Sequence, residues 1–537
     1  MPEAAVPHGV LKPSRGGPAL RGLLMQCLLI AAACAAPLLV LLPIGATLRQ
    51  ATAEGIGPLW RELARPLVGA LLGNTAGLLG STMACCAILG VGAAWLIERT
   101  DLPGRRIFAA LAACPLAVPP FVTSYAWLSM SPYFEGFGGA LLVVATAYYP
   151  LVYLPVAASL RGMDPALEES ARTLGLSPFA CFRRVVLPQL RPALMGGLLL
   201  VALNTLTEFG AFALLRFRTF TTEIYAAYQT GFSGPETASL GLVLLLLCLA
   251  CLAADFILRG RRHYARIGRG AKRVALRYEL GRAKPFWVAL LVGLNAVTLG
   301  VPLGMIVYWL TQRGVAAITP VEVAPARIIG ATLNSIGLGV AGTVLTMLLA
   351  LPLATLATRH RGWLTAGLER TGFLAQGMPG IVLALALVSV VIGTAPVLYQ
   401  SYALLLAAYA ILFVPLALVG IRSALVQAEQ RLEEAGRSLG LTQFAALRRI
   451  TWPLAAPGLG AAAALVFIAI ATELTSTLLL APIGTDTLAT ELWANGSTLA
   501  FAAAAPYAAI MTVISIVASW VFVQRFGAAP LLARQEG

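Results

Sequence analysis

Two polar segments, residues 167–192 and 432–457, interrupt a chain that is apolar almost everywhere else. They read LEESARTLGLSPFACFRRVVLPQLRP and LEEAGRSLGLTQFAALRRITWPLAAP, align without a gap, and are identical at half of their positions. Each segment offers two adjacent carboxylates near its start and two adjacent guanidinium groups further along. Such groups form ion pairs and charge-assisted hydrogen bonds with a complementary surface. The duplication therefore predicts two equivalent docking sites for a soluble partner.

The remaining residues exclude most chemistry by the chain itself. No GxxxxGK[ST] loop for ATP phosphates occurs, and none of the three lysines follows a glycine. The three histidines, His8, His263 and His360, are scattered, and no cluster typical of a metalloenzyme or a nucleophilic triad is present. We therefore expect that the chain is not an enzyme and binds no cofactor, and that any ATPase is another polypeptide.

Each polar segment is predicted to fold as a short helix, a break and a second short helix. Asp164 is a suitable N-cap for the first helix, and Pro165 fits its first position. The glutamates that follow favour the first turn, where they complement the helix dipole. Gly175 and Gly440 stand where a left-handed residue would end the helix.

The composition indicates a membrane protein. Of the 537 residues, 59% are hydrophobic and only 11% are charged, whereas soluble domains carry about 25% charged residues. The formal net charge is +15, which nucleic-acid binding would also explain. The basic residues, however, lie in short stretches between apolar runs, so we predict membrane lipid, and no nucleic acid, as the partner of this charge.

Apolar runs long enough to cross a bilayer, which takes about 20 residues, occur twelve times in two sets of six. We thus predict an all-α integral membrane fold of about twelve spans. The first set is near residues 23–47, 69–97, 107–130, 138–160, 191–215 and 238–258. The second set is near residues 286–311, 330–358, 368–393, 401–424, 457–481 and 500–524.

The two sets form a tandem repeat. Arg99 aligns with Arg359 at an offset of 260 residues, and Glu169 aligns with Glu434 at an offset of 265. Six spans per repeat is an even number, so both copies have the same orientation in the membrane. The predicted organisation is an N-terminal tail (1–22), a first repeat (23–258), a basic linker (259–285), a second repeat (286–524) and a C-terminal tail (525–537).

The basic residues predict which side of the membrane each loop occupies. Ten of them lie in the linker from Arg259 to Lys284, and others flank the first and last spans, namely Lys12, Arg15, Arg21, Arg525 and Arg534. Positive loops favour the cytoplasm. The N- and C-termini, the linker and both polar segments are therefore expected to be cytoplasmic.

Two acidic residues, Glu208 and Glu473, lie inside predicted spans at matched positions of the repeats. An ionisable group at membrane depth is a functional candidate. The two carboxylates could line a cation path between the repeats. Alternatively, each could bond a neighbouring helix or a nearby backbone N–H, and the sequence leaves both readings open.

The polar segments resemble the EAA motif of binding-protein-dependent ABC importer permeases. The motif is read as Glu, two small residues, Gly four positions later, then an aliphatic residue and Leu-Pro. The first segment matches it at Glu169, Ser170, Ala171, Gly175, Val185, Leu187 and Pro188. The second matches it at Glu434, Ala435, Gly436, Gly440, Ile450, Trp452 and Pro453, with Trp452 in place of the usual leucine. The resemblance implies a type I ABC importer permease fold with two parallel six-helix repeats.

The resemblance also implies partners and a location. Each segment would couple the chain to one of two copies of an ABC ATPase, which would bind ATP and magnesium. A periplasmic substrate-binding protein would dock on the other face of the bacterial inner membrane. The coupling residues implied are Glu168, Glu169, Ala171, Gly175, Arg183, Arg184, Pro188, Glu433, Glu434, Ala435, Gly440, Arg448, Arg449 and Pro453.

Segments outside the motif are most similar to fused iron(III) transporter permeases. They include TEFGAFALLRFRTFTTEIYAAY and ATELTSTLLLAPIGTDTLATELWA. This similarity implies ferric iron as the substrate. Thiamine, polyamines, sulfate and phosphonates, which other members of the superfamily carry, remain alternatives. A twelve-span secondary transporter can also have two parallel halves, although it has no reason to carry the duplicated polar segment.

Overall fold

The chain folds into helices whose apolar lengths match a membrane. The computed structural model describes residues 17–231, 234–259, 277–312, 325–360, 362–428 and 430–526. In the first repeat the helices are α1 (Gly17–Ala51), α2 (Ile56–Leu63), α3 (Pro66–Arg99), α4 (Arg105–Leu111), α5 (Pro120–Met130), α6 (Phe137–Gly162), α7 (Pro165–Thr173), α8 (Pro178–Cys181), α9 (Leu187–Thr207), α10 (Gly210–Leu214), α11 (Phe220–Gly231) and α12 (Gly234–Arg259).

From its third helix onward, the second repeat has the same order of long and short helices as the first. It contains α13 (Lys284–Asn295), α14 (Val301–Thr311), α15 (Pro325–Arg359), α16 (Trp363–Leu374), α17 (Gly380–Thr394), α18 (Tyr402–Gln427), α19 (Gln430–Ser438), α20 (Gln443–Ala446), α21 (Trp452–Ala471), α22 (Thr475–Leu480), α23 (Leu488–Ser497) and α24 (Phe501–Phe526). A π-helical turn, Ala296–Gly300, joins α13 to α14.

The third span of each repeat is sharply bent, where the sequence suggested single helices over 107–130 and 368–393. The chain turns by 91° between Arg105–Ala117 and α5, and by 107° between Trp363–Gly377 and α17. Pro119 and Pro379 stand at the two bends. A residue that precedes proline is sterically disfavoured in the helical region. Accordingly, Val118 and Met378 are extended, and the helices stop there.

Each bent pair nevertheless completes a crossing of the bundle. Helices α3 and α6 run in the same direction, since residues later in α3 contact residues later in α6. Cys86 Sγ lies 3.6 Å from the Ala145 carbonyl oxygen, and Arg99 Nη2 lies 3.3 Å from the Leu160 carbonyl oxygen. The chain must therefore return to the other side before α6 begins. The described residues thus hold ten long apolar helices, or twelve crossings when each bent pair counts as one, which agrees with the prediction of about twelve.

The two repeats exchange their first spans. Helix α1 packs against α15, α16 and α17 of the second repeat, while α14 packs against α5 of the first repeat and against α24. Ala33 and Val40 accordingly lie in the core of the second repeat, and Ile306 and Trp309 lie in the core of the first. Repeat boundaries in sequence are therefore not boundaries in space.

Small residues allow the helices of each core to approach closely. A Cβ added to Gly90 of α3 would lie 2.7 Å from Val152 Cβ of α6. One added to Gly197 of α9 would lie 2.7 Å from the Leu151 carbonyl oxygen of α6. Close backbone approach is a main source of helix association within lipid. Helix α6 thus packs closely against both α3 and α9, which also contact each other.

Several predicted features fall outside the described residues. The tails up to residue 16 and beyond residue 526, and residues 260–276 of the predicted linker, belong to this group. The sidedness predicted from Lys12, Arg15 and Arg534 rests on these parts of the chain, and it stays a prediction. The domain boundaries at 22, 258, 285 and 524 likewise stay predictions.

The close approach of α3 and α6 leads to a stability prediction. Gly90→Ala places a methyl group against Val152 and the Tyr149 carbonyl oxygen, and overpacking of this kind costs about 1–3 kcal/mol. We expect a lower midpoint of thermal unfolding for the purified protein. Gly92→Ala is the control, since nothing lies within 4 Å of its added Cβ, and its effect should stay within about 0.5 kcal/mol. Equal midpoints for the two variants would contradict the packing.

Candidate functional site

The first polar segment folds as the sequence predicted. The Asp164 side chain accepts a hydrogen bond from the Ala166 backbone N–H at 3.0 Å, and α7 begins at Pro165. The helix ends at Gly175, whose φ is +85°. The Gly175 N–H donates to the Arg172 carbonyl at 2.9 Å, and the next N–H donates to the Ala171 carbonyl at 3.2 Å. This pair of bonds is the Schellman motif, which needs a left-handed residue at this position.

The second polar segment repeats this geometry. Gly440 has a φ of +92°, its N–H donates to the Arg437 carbonyl at 3.0 Å, and the Leu441 N–H donates to the Gly436 carbonyl at 3.1 Å. No atom lies within 4 Å of a Cβ added to Gly175 or to Gly440. Glycine is therefore required at both sites by its backbone conformation and not by space.

A π-helical turn follows in each segment, and the sequence did not predict it. The turns are Phe182–Val186 and Leu447–Thr451, and each leads directly into the next span. The guanidinium-bearing residues of the turns are all exposed: Arg183, Arg184, Arg448 and Arg449. Pro188 is half-buried and Pro453 exposed at the second position of the following helix. The π-turns thus present four basic side chains at the surface.

The adjacent glutamates of each segment point in different directions. Glu168 is buried, and its Oε2 lies 3.2 Å from Nη1 of Arg99, which is also fully buried. Glu433 is buried in the same way, with its Oε2 3.2 Å from Nη2 of Arg359. These two ion pairs fasten the short helices α7 and α19 to the ends of α3 and α15. The predicted docking residues Glu168 and Glu433 therefore face the protein interior.

The outward face of each segment combines charge with exposed apolar side chains. Glu169 is half-buried and Glu434 is exposed. Leu174 and Leu439, beside the helix-ending glycines, are 84% and 87% exposed. Further exposed apolar side chains of the two segments are Leu167, Phe179, Leu432 and Phe444. We call this face of each segment, together with the two arginines of its π-turn, the docking face of that segment.

The small residues of the motif separate into two roles. Ala171 is buried, and so is Gly436 at the matching position of the second segment. A Cβ added to Gly436 would lie 2.5 Å from Ile450 Cδ1, so this position packs the short helix onto the π-turn. Ala435, in contrast, is exposed and belongs to the docking face.

Glu208 stands at a break in the fifth span, which the sequence predicted as one helix. Helix α9 ends at Thr207, and Glu208 itself is extended, with φ −68° and ψ 126°. Its carboxylate accepts the Ala211 backbone N–H at 3.0 Å and the Tyr148 hydroxyl at 2.8 Å. Its carbonyl accepts the Thr221 hydroxyl at 2.7 Å. The side chain therefore satisfies the backbone group that the break leaves free.

Glu473 occupies the matching break of the second repeat. Helix α21 ends at Ala471, and the Glu473 carboxylate accepts the Ser476 backbone N–H at 2.9 Å. Its carbonyl accepts the Thr477 hydroxyl at 2.7 Å, and that hydroxyl pairs with the Tyr409 hydroxyl at 2.6 Å. The contacts of Glu208 and Glu473 match the second interpretation left open by the sequence, a bond to a nearby backbone N–H. The cation path between the repeats stays a prediction.

The two breaks meet where the repeats pack together. A Cβ added to Gly210 would lie 2.9 Å from Leu474 Cδ2. Beside them, the ring centroid of Phe209 lies 4.8 Å from that of Tyr225 on α11 and 5.2 Å from that of Trp493 on α23. We call these three rings the aromatic cluster. It joins the repeats at the point where irregular backbone crosses the bundle.

The aromatic cluster lies toward the end of the bundle opposite the docking face. After the break at Glu208 the chain runs to Leu215, whose carbonyl accepts the Gly136 N–H at 2.7 Å just before α6 begins. That end of α6 is the far end from α7. Sequence reasoning missed the cluster, although Tyr225 and Trp493 occupy matched positions in the segments TTEIY and ATELW.

Outside the membrane spans, Asp101 and Lys284 form an ion pair. The Asp101 carboxylate accepts a hydrogen bond from the Lys284 ammonium group, and this bond lowers the pKa of Asp101. Within the described residues, no group of three or more His, Cys, Asp and Glu side chains could hold a metal ion.

Comparison with known proteins relates both repeats to transport proteins. The family described as "Binding-protein-dependent transport system inner membrane component" matches residues 87–262 and again residues 342–524. The chain is 34% identical to the Fe(3+)-transport system permease protein FbpB 2 of Haemophilus influenzae, over 88% of this chain and 93% of that protein. It is also 34% identical over 194 residues to the sulfate permease CysT of Salmonella typhimurium, covering 32% of this chain and 68% of that protein. With the molybdenum permease ModB of Escherichia coli it shares 30% identity over 186 residues, 30% of this chain and 80% of that protein.

The hydrogen bonds at the breaks predict how Glu208 and Glu473 respond to substitution. Gln keeps an acceptor oxygen for the backbone N–H, so Glu208→Gln and Glu473→Gln should unfold at nearly the wild-type midpoint. Glu208→Leu leaves the Ala211 N–H without its acceptor, which costs about 1–3 kcal/mol, and we expect a clearly lower midpoint. Thermal unfolding of the purified variants is the measurement. If Gln destabilises as much as Leu, the break depends on the charge and not on the hydrogen bond.

Proposed function

Because this chain belongs to the family of binding-protein-dependent transport system inner membrane components, we propose that it is the membrane permease of an ATP-driven importer of ferric iron. The supporting observation is the similarity to an Fe(3+)-transport permease across both repeats. The sulfate and molybdenum relatives match only about a third of the chain. The chain is a multi-pass membrane protein of a family of inner-membrane permeases.

The character of the predicted path favours a cation over an oxyanion. Glu208 and Glu473 lie at the two breaks, which meet between the repeats. Carboxylate oxygens are hard ligands that suit hard cations, and they repel sulfate or molybdate. Ferric iron is the cargo in this proposal, not a resident cofactor.

Two copies of a separate ABC ATPase would dock on the two docking faces. The matched pair of short helices, glycine ends and arginine-bearing π-turns offers each copy the same surface, and the exposed leucines would fill apolar hollows on it. ATP and magnesium would bind to the ATPase alone. A periplasmic binding protein would deliver iron at the opposite end. This arrangement puts the docking faces and both termini in the cytoplasm, in agreement with the positive charge of the tails and linker.

The geometry suggests how ATP closure would open the path. The buried pairs Arg99–Glu168 and Arg359–Glu433 fasten the short helices α7 and α19, which we call the docking helices, to the long spans α3 and α15. When the ATPases draw the two docking helices together, the spans must move with them as rigid units. The aromatic cluster joins the repeats near the far end, so rocking of the repeats would separate its rings there. Alternating access of this kind needs no chemistry from the permease itself.

Transport specificity tests the proposal directly. In a deletion strain complemented with this chain, its ATPase and its binding protein, we expect uptake of labelled ferric iron that requires ATP. Thiamine, sulfate and molybdate uptake should stay at the level of the uncomplemented strain. Uptake of one of these in place of iron would overturn the substrate. Transport by the purified chain alone in nucleotide-free liposomes, driven by protons or sodium, would instead indicate a secondary transporter.

A charge reversal on each docking face should uncouple transport. Glu169→Lys and Glu434→Lys replace an anion just after the first turn of the docking helix by a cation, which weakens the contact with the ATPase. We expect reduced co-purification of the ATPase and a strong loss of uptake, largest in the double variant.

The matched control for these variants is Glu135→Lys, the same charge change at the opposite end of the bundle. Glu135 pairs with the exposed Arg216 there, and exposed pairs contribute only about 0–1 kcal/mol. This variant should retain co-purification. Normal uptake and normal co-purification by the double docking-face variant would contradict the docking assignment.

A further inference from the structure

The chain that connects the two repeats binds back onto the first repeat beside its docking helix. The Tyr278 N–H donates to the Arg99 carbonyl at 2.8 Å, and the Asp101 N–H donates to the Tyr278 carbonyl at 3.2 Å. The Lys284 ammonium group lies 2.6 Å from an Asp101 carboxylate oxygen. These contacts hold the linker residues 277–284 against the end of α3.

The side chain of Tyr278 reaches the buried ion pair of the first docking helix. Its hydroxyl donates a hydrogen bond to Glu168 Oε1 at 2.5 Å, while Glu168 Oε2 faces Arg99. The Tyr278 ring lies 5.5 Å from the ring of Trp95 and 5.5 Å below the guanidinium carbon of Arg172. Burial and the neighbouring Glu168 both raise the pKa of Tyr278, so its hydroxyl keeps the proton that it donates.

Within the described residues, the second docking helix is fastened without a contact from the linker. Glu433 contacts Arg359 at 3.2 Å, as its counterpart does, but it accepts its hydroxyl hydrogen bond from Thr451 at 3.1 Å. Thr451 belongs to the π-turn of the same segment. The matching residue of the first segment is Val186, which is equally buried and has no hydroxyl group. The first segment thus lacks the internal donor that the second contains.

We propose that Tyr278 is a positioning residue that fixes the first docking helix, so that one docking face of this chain depends on the linker while the other is self-contained. This inference rests on the proposed function in so far as the docking faces bind ATPase subunits. Its consequence is that the two docking faces of one chain are unequal. Any change that moves the linker would act on the first site alone.

Removing the Tyr278 hydroxyl is the direct test. Tyr278→Phe keeps the ring against Trp95 and Arg172 and deletes one hydrogen bond to a buried carboxylate. A hydrogen bond to a charged group changes a local opening equilibrium by about tenfold or more. We expect backbone amides of residues 166–176 to exchange with deuterium about tenfold faster. Amides of the matched residues 431–441 should keep their wild-type rates.

Two further variants exchange the donors between the repeats. Adding Val186→Thr to Tyr278→Phe gives the first segment the internal hydroxyl that the second one has, and it should restore slow exchange at 166–176. Thr451→Val removes the donor of Glu433 and should speed exchange at 431–441 only. A general loss of stability would not follow this pattern of repeat-specific loss and rescue.

These deuterium-exchange measurements are made on the full-length chain in nanodiscs without any ATPase, so they do not depend on the proposed function. Unchanged exchange at 166–176 in Tyr278→Phe, or an equal rise in both segments, would contradict the proposal that Tyr278 fixes the first docking helix. In the assembled transporter, Tyr278→Phe should lower the ratio of iron transported to ATP hydrolysed, and the added Val186→Thr should restore it. An unchanged ratio alongside faster exchange would overturn the positioning role. Failure of the wild-type chain to couple to ATP would instead overturn the proposed function, while the exchange result for Tyr278 would still hold.

Discussion

The structure depends on two buried ion pairs, Arg99–Glu168 and Arg359–Glu433, that fasten a short polar helix to a long apolar one in each repeat. Removing one partner of a buried pair leaves an uncompensated charge, which typically costs about 3–5 kcal/mol. A helix of nine residues, such as α7, is too short to be stable alone. Its position therefore comes from the ion pair, the start capped by Asp164 and the glycine end together. Force applied to the docking helix reaches the span because this joint is stiff.

The spans transmit such force only if they move as units, and their packing supports this. Helices α3, α6 and α9 all pack against one another, and α3 and α9 each approach α6 closely at a glycine, so three spans of the first repeat form one block. The exchange of first spans adds α14 to this block and α1 to the other. The irregular backbone lies between the blocks, at the breaks near Glu208 and Glu473. Irregular backbone at membrane depth is tolerated where protein groups satisfy it, and here the glutamate side chains do so.

The sequence predicted those features that local chemistry determines. Twelve crossings follow from apolar length, the repeat from matched residues, and the ends of α7 from Asp164, Pro165 and Gly175. Two features that depend on contacts distant in sequence were missed, the exchange of first spans and the aromatic cluster, and so were the local π-turns. The direction of the glutamates is instructive, because Glu168 and Glu169 are identical in type and adjacent. The sequence placed both glutamates of each pair on the docking surface, and it used the alignment of Arg99 with Arg359 only to define the repeat.

The linker shows why a fused chain is more than two equal halves. Duplication gave both repeats the same arginine and glutamate, but the third partner differs, being Thr451 in one and Tyr278 in the other. Tyr278 precedes α13, the first span of the second repeat, which packs with the first repeat. The exchange of spans therefore carries the linker to the docking helix of the opposite repeat. A contact that crosses the repeats can then replace one that lay within a repeat, and the symmetry of the docking faces is broken by the connection itself.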